Sequence, residues 1–346
     1  MQVDYIIVGL GLAGMAFSEE LRRHHKSFVV FEDESQNSSL VAGGMYNPVI
    51  LKRFTPVWNG TEQIESALPF YEKLEKLFNK KYHHKLSIYR VFKSVGEQNN
   101  WFVACDKPLL KNYMLPEVIH SKYNGVKSEF GFGELKNTGR IDTNALLEDY
   151  KQFLSKKNQL IKEKFDYDCL TLVKEVVRYK DLTSAKIVFC EGFGLKKNPF
   201  FNNLPMQEVK GELLVIHAPE LNIDFLIKAA VFVMPLGNNY YKIGATFNWK
   251  DKTKNPTKEG KEELVEKLNS FISVPYTIVN HLAGIRPTVK DRRPLAGIHA
   301  DFKNMAILNG LGTRGVMIAP TLAKQLYNHL EKNKELSKEV AISRFY

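Results

Sequence analysis

The chain opens with a short apolar run that leads directly into a glycine-rich turn. Val3–Val8 is rich in β-branched residues, and Gly9-Leu10-Gly11-Leu12-Ala13-Gly14 follows at once. The apolar residues of the next segment recur at helical spacing up to Arg23, and a second strand is predicted over Ser27–Phe31. Strand, glycine turn, helix and strand in this order predict a right-handed βαβ unit in a parallel sheet.

The glycine turn has the spacing G-x-G-x-x-G, which suits a dinucleotide. Gly9 permits the tight turn, Gly11 lets the backbone approach a pyrophosphate, and Gly14 lets helix and strand pack closely. The N–H groups at the helix start, around Leu12 and Ala13, would then face the pyrophosphate. Glu32 ends the second strand and would bind the ribose hydroxyls, so a 2′-phosphate, and with it NADP, is disfavoured.

The G-x-G-x-x-G spacing alone does not separate NAD from FAD. A second small-residue turn, Gly43-Gly44-Met45-Tyr46-Asn47-Pro48, follows about ten residues after the acid. Backbone without bulky side chains suits close approach to a flat ring system, as when FAD lies extended across the domain. We therefore expect Gly43, Gly44, Met45 and Asn47 to contact the cofactor.

The rest of the chain predicts a second, largely antiparallel region. Helices are expected over residues 62–81, 143–156 (with Asp142 as N-cap), 258–271 and 316–333. Strands are expected over residues 86–92, 185–190, 209–216, 225–234 and 240–246, and short strands follow residue 275. The predicted domains are a discontinuous first domain (1–79, 136–206 and 275–346) and a second domain (80–135 and 207–274).

Motifs near the carboxyl end carry a family resemblance. Gly284-Ile285-Arg286-Pro287 leads to Asp291, Pro294 and Gly297, and Gly310-Leu311-Gly312-Thr313-Arg314-Gly315-Val316-Met317 precedes the last helix. Together with the amino-terminal turn and Lys210-Gly211-Glu212, these residues resemble the FAD-dependent D-amino-acid oxidase superfamily. The motifs look most like those of glycine oxidase and of the oxidase half of the bifunctional tRNA 5-methylaminomethyl-2-thiouridine enzyme.

The resemblance implies a fold and a cofactor site. The fold is α/β, with a Rossmann-type, glutathione-reductase-like FAD-binding domain and a second α+β domain built on a mainly antiparallel sheet. The expected flavin contacts are Gly192, Gly312, Thr313, Arg314, Gly315, Val316 and Met317. The N–H groups at the start of the last helix would stabilise negative charge on reduced flavin. No cysteine lies in the Gly310–Pro320 segment, where some relatives attach flavin covalently, so FAD is expected to be non-covalent.

The resemblance also assigns a role to Arg286, which would hold a substrate carboxylate over the flavin. Arg53 and Arg314 are secondary candidates for binding a carboxylate or phosphate. The expected reaction is oxidation of a C–N bond of an amino acid or secondary amine by hydride transfer to flavin N5, followed by imine hydrolysis. One alternative keeps this chemistry but acts on a carboxymethylaminomethyl wobble uridine of tRNA. Another is a non-catalytic flavoprotein or electron-transfer partner. The sequence leaves open whether oxygen or another acceptor reoxidises the flavin.

Charge and composition limit the class of binding partner and the cellular compartment that the sequence predicts. The net charge is +11, which suits an anionic cofactor or substrate, or a nucleic acid. The three cysteines are widely spaced and do not have the spacing of metal ligands. No apolar run is long enough to span a membrane, and the amino terminus has no basic signal region. These features predict a cytoplasmic protein. The adjacent pairs His24-His25 and His83-His84 are interpreted as exposed polar residues, and no metal site is expected.

Overall fold

The computed structural model describes residues 1–35, 37–173 and 176–346. The strands in these ranges are β1 Gln2–Val8, β2 Phe28–Phe31, β3 Met45–Tyr46, β4 Val49–Ile50, β5 Thr55–Pro56, β6 His83–Lys85, β7 Ile88–Val91, β8 Met114–Ile119, β9 Phe132–Leu135, β10 Gly139–Ile141, β11 Leu160–Ile161, β12 Leu170–Val173, β13 Val176–Tyr179, β14 Leu182–Phe189, β15 Met206–His217, β16 Leu226–Lys228, β17 Phe232–Gly237, β18 Tyr240–Gly244, β19 Thr277–Val289, β20 Leu295–Ile298 and β21 Met305–Asn309. The helices are α1 Leu12–Arg23, α2 Ser38–Val41, α3 Gly60–Phe78, α4 Val95–Cys105, α5 Thr143–Lys156, α6 Lys258–Asn269 and α7 Gly315–Lys332.

The first sheet contains the amino-terminal βαβ unit. Strands β11, β2, β1, β14 and β21 run parallel in that order, and β20 pairs antiparallel with β21 on its other side. The hairpin of β12 and β13 extends one end of β14. Both faces of β1 are covered, because Ile7 packs in the core with α1 and α7 while Ile6 packs in the core on the opposite face. The predicted βαβ unit and the Rossmann-type sheet are confirmed.

Local signals in the sequence placed two helices well. Helix α5 has the predicted bounds, and its N-cap Asp142 accepts a hydrogen bond from the Ala145 N–H at 3.2 Å. Helix α7 begins one residue before the predicted start. A capping acid and a glycine-rich turn act within one or two helical turns, which explains why sequence alone located both starts.

The second large sheet is mainly antiparallel, as expected. Its strand order is β19-β15-β18-β17-β16-β7-β9-β8, with β16 and β7 as its parallel pair among the described strands. One face packs against α6, where Leu264 and Leu268 join Leu214 and Ile243 in a buried cluster. The opposite face turns toward the carboxyl ends of the first sheet and borders the cavity described below.

Two expectations about this sheet are wrong. The apolar run at residues 225–234 is not one strand but a hairpin, β16 and β17, closed by a hydrogen bond from the Ala229 N–H to the Val231 carbonyl. No glycine or proline marks this reversal, so the sequence pattern hides it. The chain after residue 275 does not start with short strands, because β19 is thirteen residues long and pairs with β15. Residues 277–289 thus lie in the second sheet, although the predicted boundary places them in the first domain; the other boundaries remain a proposal.

The adjacent histidines also differ from expectation. His83 lies on β6 and is buried, and its Nε2 is 2.7 Å from the Tyr46 hydroxyl. The interpretation of His83 as an exposed residue is therefore wrong. Strand β6 pairs with β10, and this pairing carries His83 into the interior next to β3.

Several features bear on the expectations about compartment and metals. The three cysteines are free thiols, and Cys105 and Cys190 are buried. None of the described helices combines the length and apolar character that crossing a lipid bilayer requires. The described residues contain no group of three or more His, Cys, Asp or Glu side chains arranged to hold a metal ion.

Candidate active site

A cavity of about 1520 Å³ lies where the carboxyl ends of β1, β2, β14 and β21 meet the second sheet. In open α/β sheets, ligands bind at this end of the strands. Pockets for small ligands usually measure about 300–1,000 Å³, so this one has room for a dinucleotide together with a substrate. It is lined by these predicted site residues: Gly9, Gly11, Leu12, Ala13, Glu32, Gly43, Gly44, Met45, Asn47, Gly192, Arg286, Gly312, Thr313, Arg314, Gly315, Val316 and Met317.

The first glycine turn has the backbone that its sequence predicts. Gly9 has a φ of +97°, and a Cβ there would lie 2.7 Å from the Cys190 carbonyl oxygen. A Cβ on Gly14 would lie 2.0 Å from the Gly9 carbonyl oxygen, so Gly14 sets the packing of α1. Gly14 does not line the cavity, which corrects its inclusion among the cofactor contacts. Gly11 is the N-cap of α1 and makes no side-chain cap, so N–H groups at this helix start face the cavity.

Glu32 stands at the end of β2, beside the turn. Its carboxylate accepts hydrogen bonds from the N–H groups of Leu10 at 2.5 Å and Glu34 at 2.7 Å. Burial raises the pKa of Glu32, while the two hydrogen bonds oppose that shift. These contacts hold the carboxylate at the edge of the cavity, where ribose hydroxyls can reach it.

Ser39 is a site residue that the sequence analysis missed. Its Oγ lies 3.3 Å from the Leu12 nitrogen and accepts a hydrogen bond from that N–H group at the start of α1. A Cβ on Gly11 would approach the same Oγ to 3.2 Å. The available signal was a pair of serines, Ser38 and Ser39, between the acid and the second glycine turn. A hydroxyl here adds a polar group to the surface that faces a pyrophosphate.

The second glycine turn is fixed from two sides. Gly44 has a φ of +66°, and its Cβ would lie 1.9 Å from the Ile141 carbonyl oxygen, so glycine is required for packing as well as for access. Lys242 on β18 donates from Nζ to the carbonyls of Val41 at 3.4 Å and Ala42 at 3.2 Å. Burial lowers the pKa of Lys242. This lysine, also missed from sequence, ties the turn at Gly43 to the second sheet.

The start of α7 lies beside the start of α1. Gly310 and Gly312 have φ values of +72° and +60°, which turn the chain from β21 into the helix. A Cβ on Gly315 would come within 3.0 Å of the Leu12 side chain. Helix α7 has no side-chain cap and no acid in its first turn, and in α1 only the Leu12 N–H is bound by a side chain, so two helix starts from opposite ends of the chain face one cavity with N–H groups free of side-chain caps.

Arg286 enters the cavity from β19. Its guanidinium donates to the Thr246 carbonyl at 3.2 Å and to the Lys210 carbonyl at 3.4 Å, and the Phe247 ring lies 4.4 Å from it. A Cβ on Gly211 would lie 1.9 Å from Nη2, so glycine makes room for the group. Among the described residues, no carboxylate pairs with Arg286. Burial lowers its pKa to about 10, which leaves a positive charge at neutral pH.

The remaining predicted residues separate into two groups. Arg314 lines the cavity, and burial together with the neighbouring Arg292 and Arg293 lowers its pKa. Arg53 is exposed and lies outside the cavity lining, so the geometry does not support its secondary assignment as a carboxylate or phosphate partner.

Beside Gly192, burial raises the pKa of Glu191 to about 7. This carboxyl, which the sequence analysis did not single out, accepts hydrogen bonds from Tyr167 and Asn198.

Comparison with known families decides the class of this site. A model of the DAO family, described as FAD dependent oxidoreductase, matches residues 4–328. The chain belongs to this family. The resemblance drawn from the terminal motifs is therefore confirmed, and so is FAD as the cofactor.

Individual DAO family members resemble the chain at low identity. The bifunctional tRNA 5-methylaminomethyl-2-thiouridine biosynthesis protein of Marinobacter nauticus is 22% identical over 99% of this chain. The chain spans 58% of that protein's length. Among solved structures, iminodiacetate oxidase from Chelativorans sp. BNC1 superposes with a TM-score of 0.81 at 13% identity, covering 97% of this chain and 98% of the other. Glycine oxidase from Geobacillus kaustophilus gives 0.78 at 17% identity, covering 97% and 96%. At these identities the structures establish a shared fold.

The cavity fits the FAD of this DAO family member at both ends. Glu32 and Ser39 provide polar groups beside the α1 start, as an adenosine ribose and a pyrophosphate require. Toward the other end, beyond the α1 start that it adjoins, the α7 start with Arg314 places positive potential beside the second sheet. The individual contacts, including those of Gly192 and Met317, remain our proposal, as does the non-covalent attachment of FAD.

Proposed function

We propose that this chain oxidises a C–N bond of an amino acid or secondary amine that carries a carboxylate. The observation that carries the proposal is Arg286, a half-buried cation in the cavity without a carboxylate partner among the described residues. A guanidinium withdrawn from water binds a carboxylate strongly through charge-assisted hydrogen bonds. Arg286 lies on β19 of the second sheet and lines the same cavity as the α7 start, which supports a role in binding the substrate carboxylate close to the flavin.

The chemistry divides between cofactor and chain. When bound, FAD would supply the acceptor for a hydride from the carbon beside the nitrogen, and oxygen or another acceptor would reoxidise it; the imine so formed would hydrolyse in water to a carbonyl compound and an amine. Arg286 orients the substrate, and the Phe247 ring covers one side of the guanidinium. The α7 N-terminus stabilises the negative charge that develops on reduction. Lys242 holds the Gly43 turn in place through two backbone carbonyls.

Anaerobic mixing of the FAD-loaded protein with glycine, sarcosine and proline tests this proposal. Loss of the visible flavin absorption is expected with at least one of them. Arg286→Ala should weaken amine binding by about 2–4 kcal/mol, because the carboxylate loses its partner, and should leave the FAD content unchanged.

The control for this experiment is Arg178→Ala, which removes an exposed arginine on β13 and should behave as the wild type. Equal loss of FAD in Arg286→Ala would show that Arg286 serves the cofactor instead. If no amine reduces the flavin, the amine-oxidase proposal is wrong, and the protein is better described as a non-catalytic flavoprotein or electron-transfer partner.

A second candidate substrate is a carboxymethylaminomethyl wobble uridine in tRNA. Two observations favour it: the net charge is +11, and the Marinobacter nauticus relative aligns with 99% of this chain. Lysines also border the cavity, among them Lys52, Lys164, Lys196, Lys197 and Lys254. This substrate would be supported if tRNA carrying this group reduces the flavin, if the rate of reduction falls steeply with salt concentration, and if free amino acids do not reduce the flavin. Reduction by small amines alone would exclude it.

A further inference from the structure

Lys228 and Arg286 lie on the same face of the second sheet. Directly opposed residues in neighbouring strands share a face, and such pairs run across the sheet as Lys228–Phe232, Phe232–Gly244 and Gly244–Leu213. Along β15, Leu213 and Val209 are four residues apart and face the same side, and Val209 opposes Arg286. Both cations therefore point toward the cavity, and both line it.

Lys228 has no counterion in the part of the chain that the structure describes. It is half-buried, and among the described residues its Nζ forms neither a hydrogen bond nor an ion pair; the Phe232 ring lies beside it, with its centroid 5.8 Å from Nζ. The charged neighbour is Arg90 on β7, whose guanidinium pairs with Glu97 and donates to the Lys228 carbonyl. Burial, with a contribution from Arg90, lowers the pKa of Lys228 to about 8. An ammonium held in such surroundings is stabilised by an anion that enters the cavity.

The distance between the two cations determines how far apart two anionic groups of one ligand must lie to bind both. Strands lie about 4.8 Å apart, and β19 and β16 are separated by three intervening strands. The Arg286 side chain crosses over Gly211 on β15 and reaches the Thr246 carbonyl just beyond β18, which brings its charge toward Lys228. Two strand spacings, combined with the two-residue offset along the chain between Gly244, in the row of Lys228, and Thr246, then leave a gap on the order of 10 Å between the two charged groups.

We propose that Lys228 is a specificity-determining residue that binds a second anionic group of the substrate. Building on the proposed function, this names the substrate class: a secondary amine of the N-substituted glycine type. Its glycine carboxylate binds Arg286, and its nitrogen carries a chain that ends in a second anion about eight bonds from the first. The second anion is a carboxylate or a phosphate, since both are recognised by a lysine ammonium.

Matched probes test the proposal on the FAD-loaded protein. N-(5-carboxypentyl)glycine and N-(5-phosphonopentyl)glycine carry the second anion, and N-hexylglycine has a similar length without it. The wild type should turn over at least one dianionic probe with a kcat/KM about tenfold or more above that of N-hexylglycine. Lys228→Met should raise KM for that probe about tenfold and leave kcat, and the kinetics of N-hexylglycine, unchanged. A preference for one of the two dianions identifies whether a carboxylate or a phosphate is recognised.

A binding measurement separates this inference from the amine-oxidase proposal. Thioether analogues, in which sulfur replaces the amine nitrogen, carry the same anions but cannot form the imine. Calorimetric titration should give a dissociation constant about tenfold lower for the dianionic analogue than for the monoanionic one, and Lys228→Met should remove that difference. If no amine probe reduces the flavin but this difference in affinity is found, the amine-oxidase proposal is wrong and the second anion site at Lys228 is still supported.

The control variant is Lys258→Met, because the Lys258 side chain is 83% exposed at the start of α6. It should match the wild type in every measurement. Equal affinity of the wild type for dianionic and monoanionic analogues overturns the role of Lys228. So does an equal loss of affinity for both analogues in Lys228→Met.

Discussion

The position of the Arg286 guanidinium depends on a glycine, Gly211, on the neighbouring strand. Its guanidinium lies over Gly211, and its hydrogen-bond acceptors are main-chain carbonyls, those of Thr246 and Lys210. Carbonyl partners orient the group without neutralising it, so its charge stays available to a ligand. The same geometry makes the position of the guanidinium sensitive to any atom added at residue 211.

Gly211→Ala tests this dependence. The new Cβ would lie 1.9 Å from Nη2, which is the far end of a flexible side chain, so the guanidinium should move while the fold persists. We expect KM for the amine to rise about tenfold or more and the free energy of unfolding to change by less than about 1 kcal/mol. Steady-state kinetics and urea unfolding measure the two effects. Gly96→Ala, on α4, is the control, because the added Cβ would meet only the Ser94 Oγ at an ordinary contact distance of 3.7 Å. An unchanged KM in Gly211→Ala would contradict the argument.

At the scale of elements, the segment that follows β18 is held by a buried lysine. Lys210 on β15 is inaccessible to solvent, and its Nζ donates to Asp251 at 2.5 Å, to the Thr253 hydroxyl at 3.3 Å and to the Asn255 carbonyl at 2.5 Å. The anchored segment follows Phe247, the ring that covers Arg286. The rim of the cavity is therefore fixed from within the sheet.

This anchor makes stability depend on acid pH. The hydrogen bond from Lys210, together with those from Thr253, lowers the pKa of Asp251 to about 2. Because an unfolded aspartate has a pKa of about 3.9, the ionised pair stabilises the fold above pH 4, and this contribution is lost as the pH falls from about 4 to 2. Asp251→Asn should be less stable than the wild type at pH 6, with the difference shrinking over that interval. Urea unfolding at several pH values measures this, and a constant difference would contradict it.

At the scale of the molecule, the cavity joins the two large sheets. One wall consists of the carboxyl ends of the first sheet with the starts of α1 and α7, and the other is a face of the second sheet. A cofactor that fills this space touches both parts of the chain. Binding to the folded form alone stabilises it, so FAD should raise the unfolding temperature of the whole molecule.

A comparison of FAD with FMN tests this link. At a free concentration one hundred times its dissociation constant, FAD should add about 2.7 kcal/mol to the free energy of unfolding. FMN lacks the adenosine that would engage the Glu32 end, so at the same concentration it should raise the melting temperature much less. Differential scanning calorimetry gives both shifts. Equal shifts would show that the Glu32 end of the cavity contributes nothing to cofactor binding.

Local patterns in the sequence determined several helices and strands of this protein and much of its dinucleotide site. The βαβ unit, the Asp142 cap, the start of α7 and the glycines around the dinucleotide site depend on residues close together in the chain, and sequence spacing records such relations directly. The terminal motifs sufficed to indicate the family. Through the family resemblance, the same motifs also indicated Arg286 as the residue that binds a carboxylate.

Other features were decided by contacts between distant residues. The β16–β17 hairpin, the pairing of β19 with β15 and the burial of His83 depend on which strands meet, and no residue near them signals the outcome. Gly211 is needed because Arg286, on the neighbouring strand, lies across it. Lys228 stands out only because the folded sheet brings it to the same cavity as Arg286, with no counterion among the described residues. The sequence records which side chains are present; tertiary packing alone decides which charges are left unpaired, because pairing is a property of distance in space.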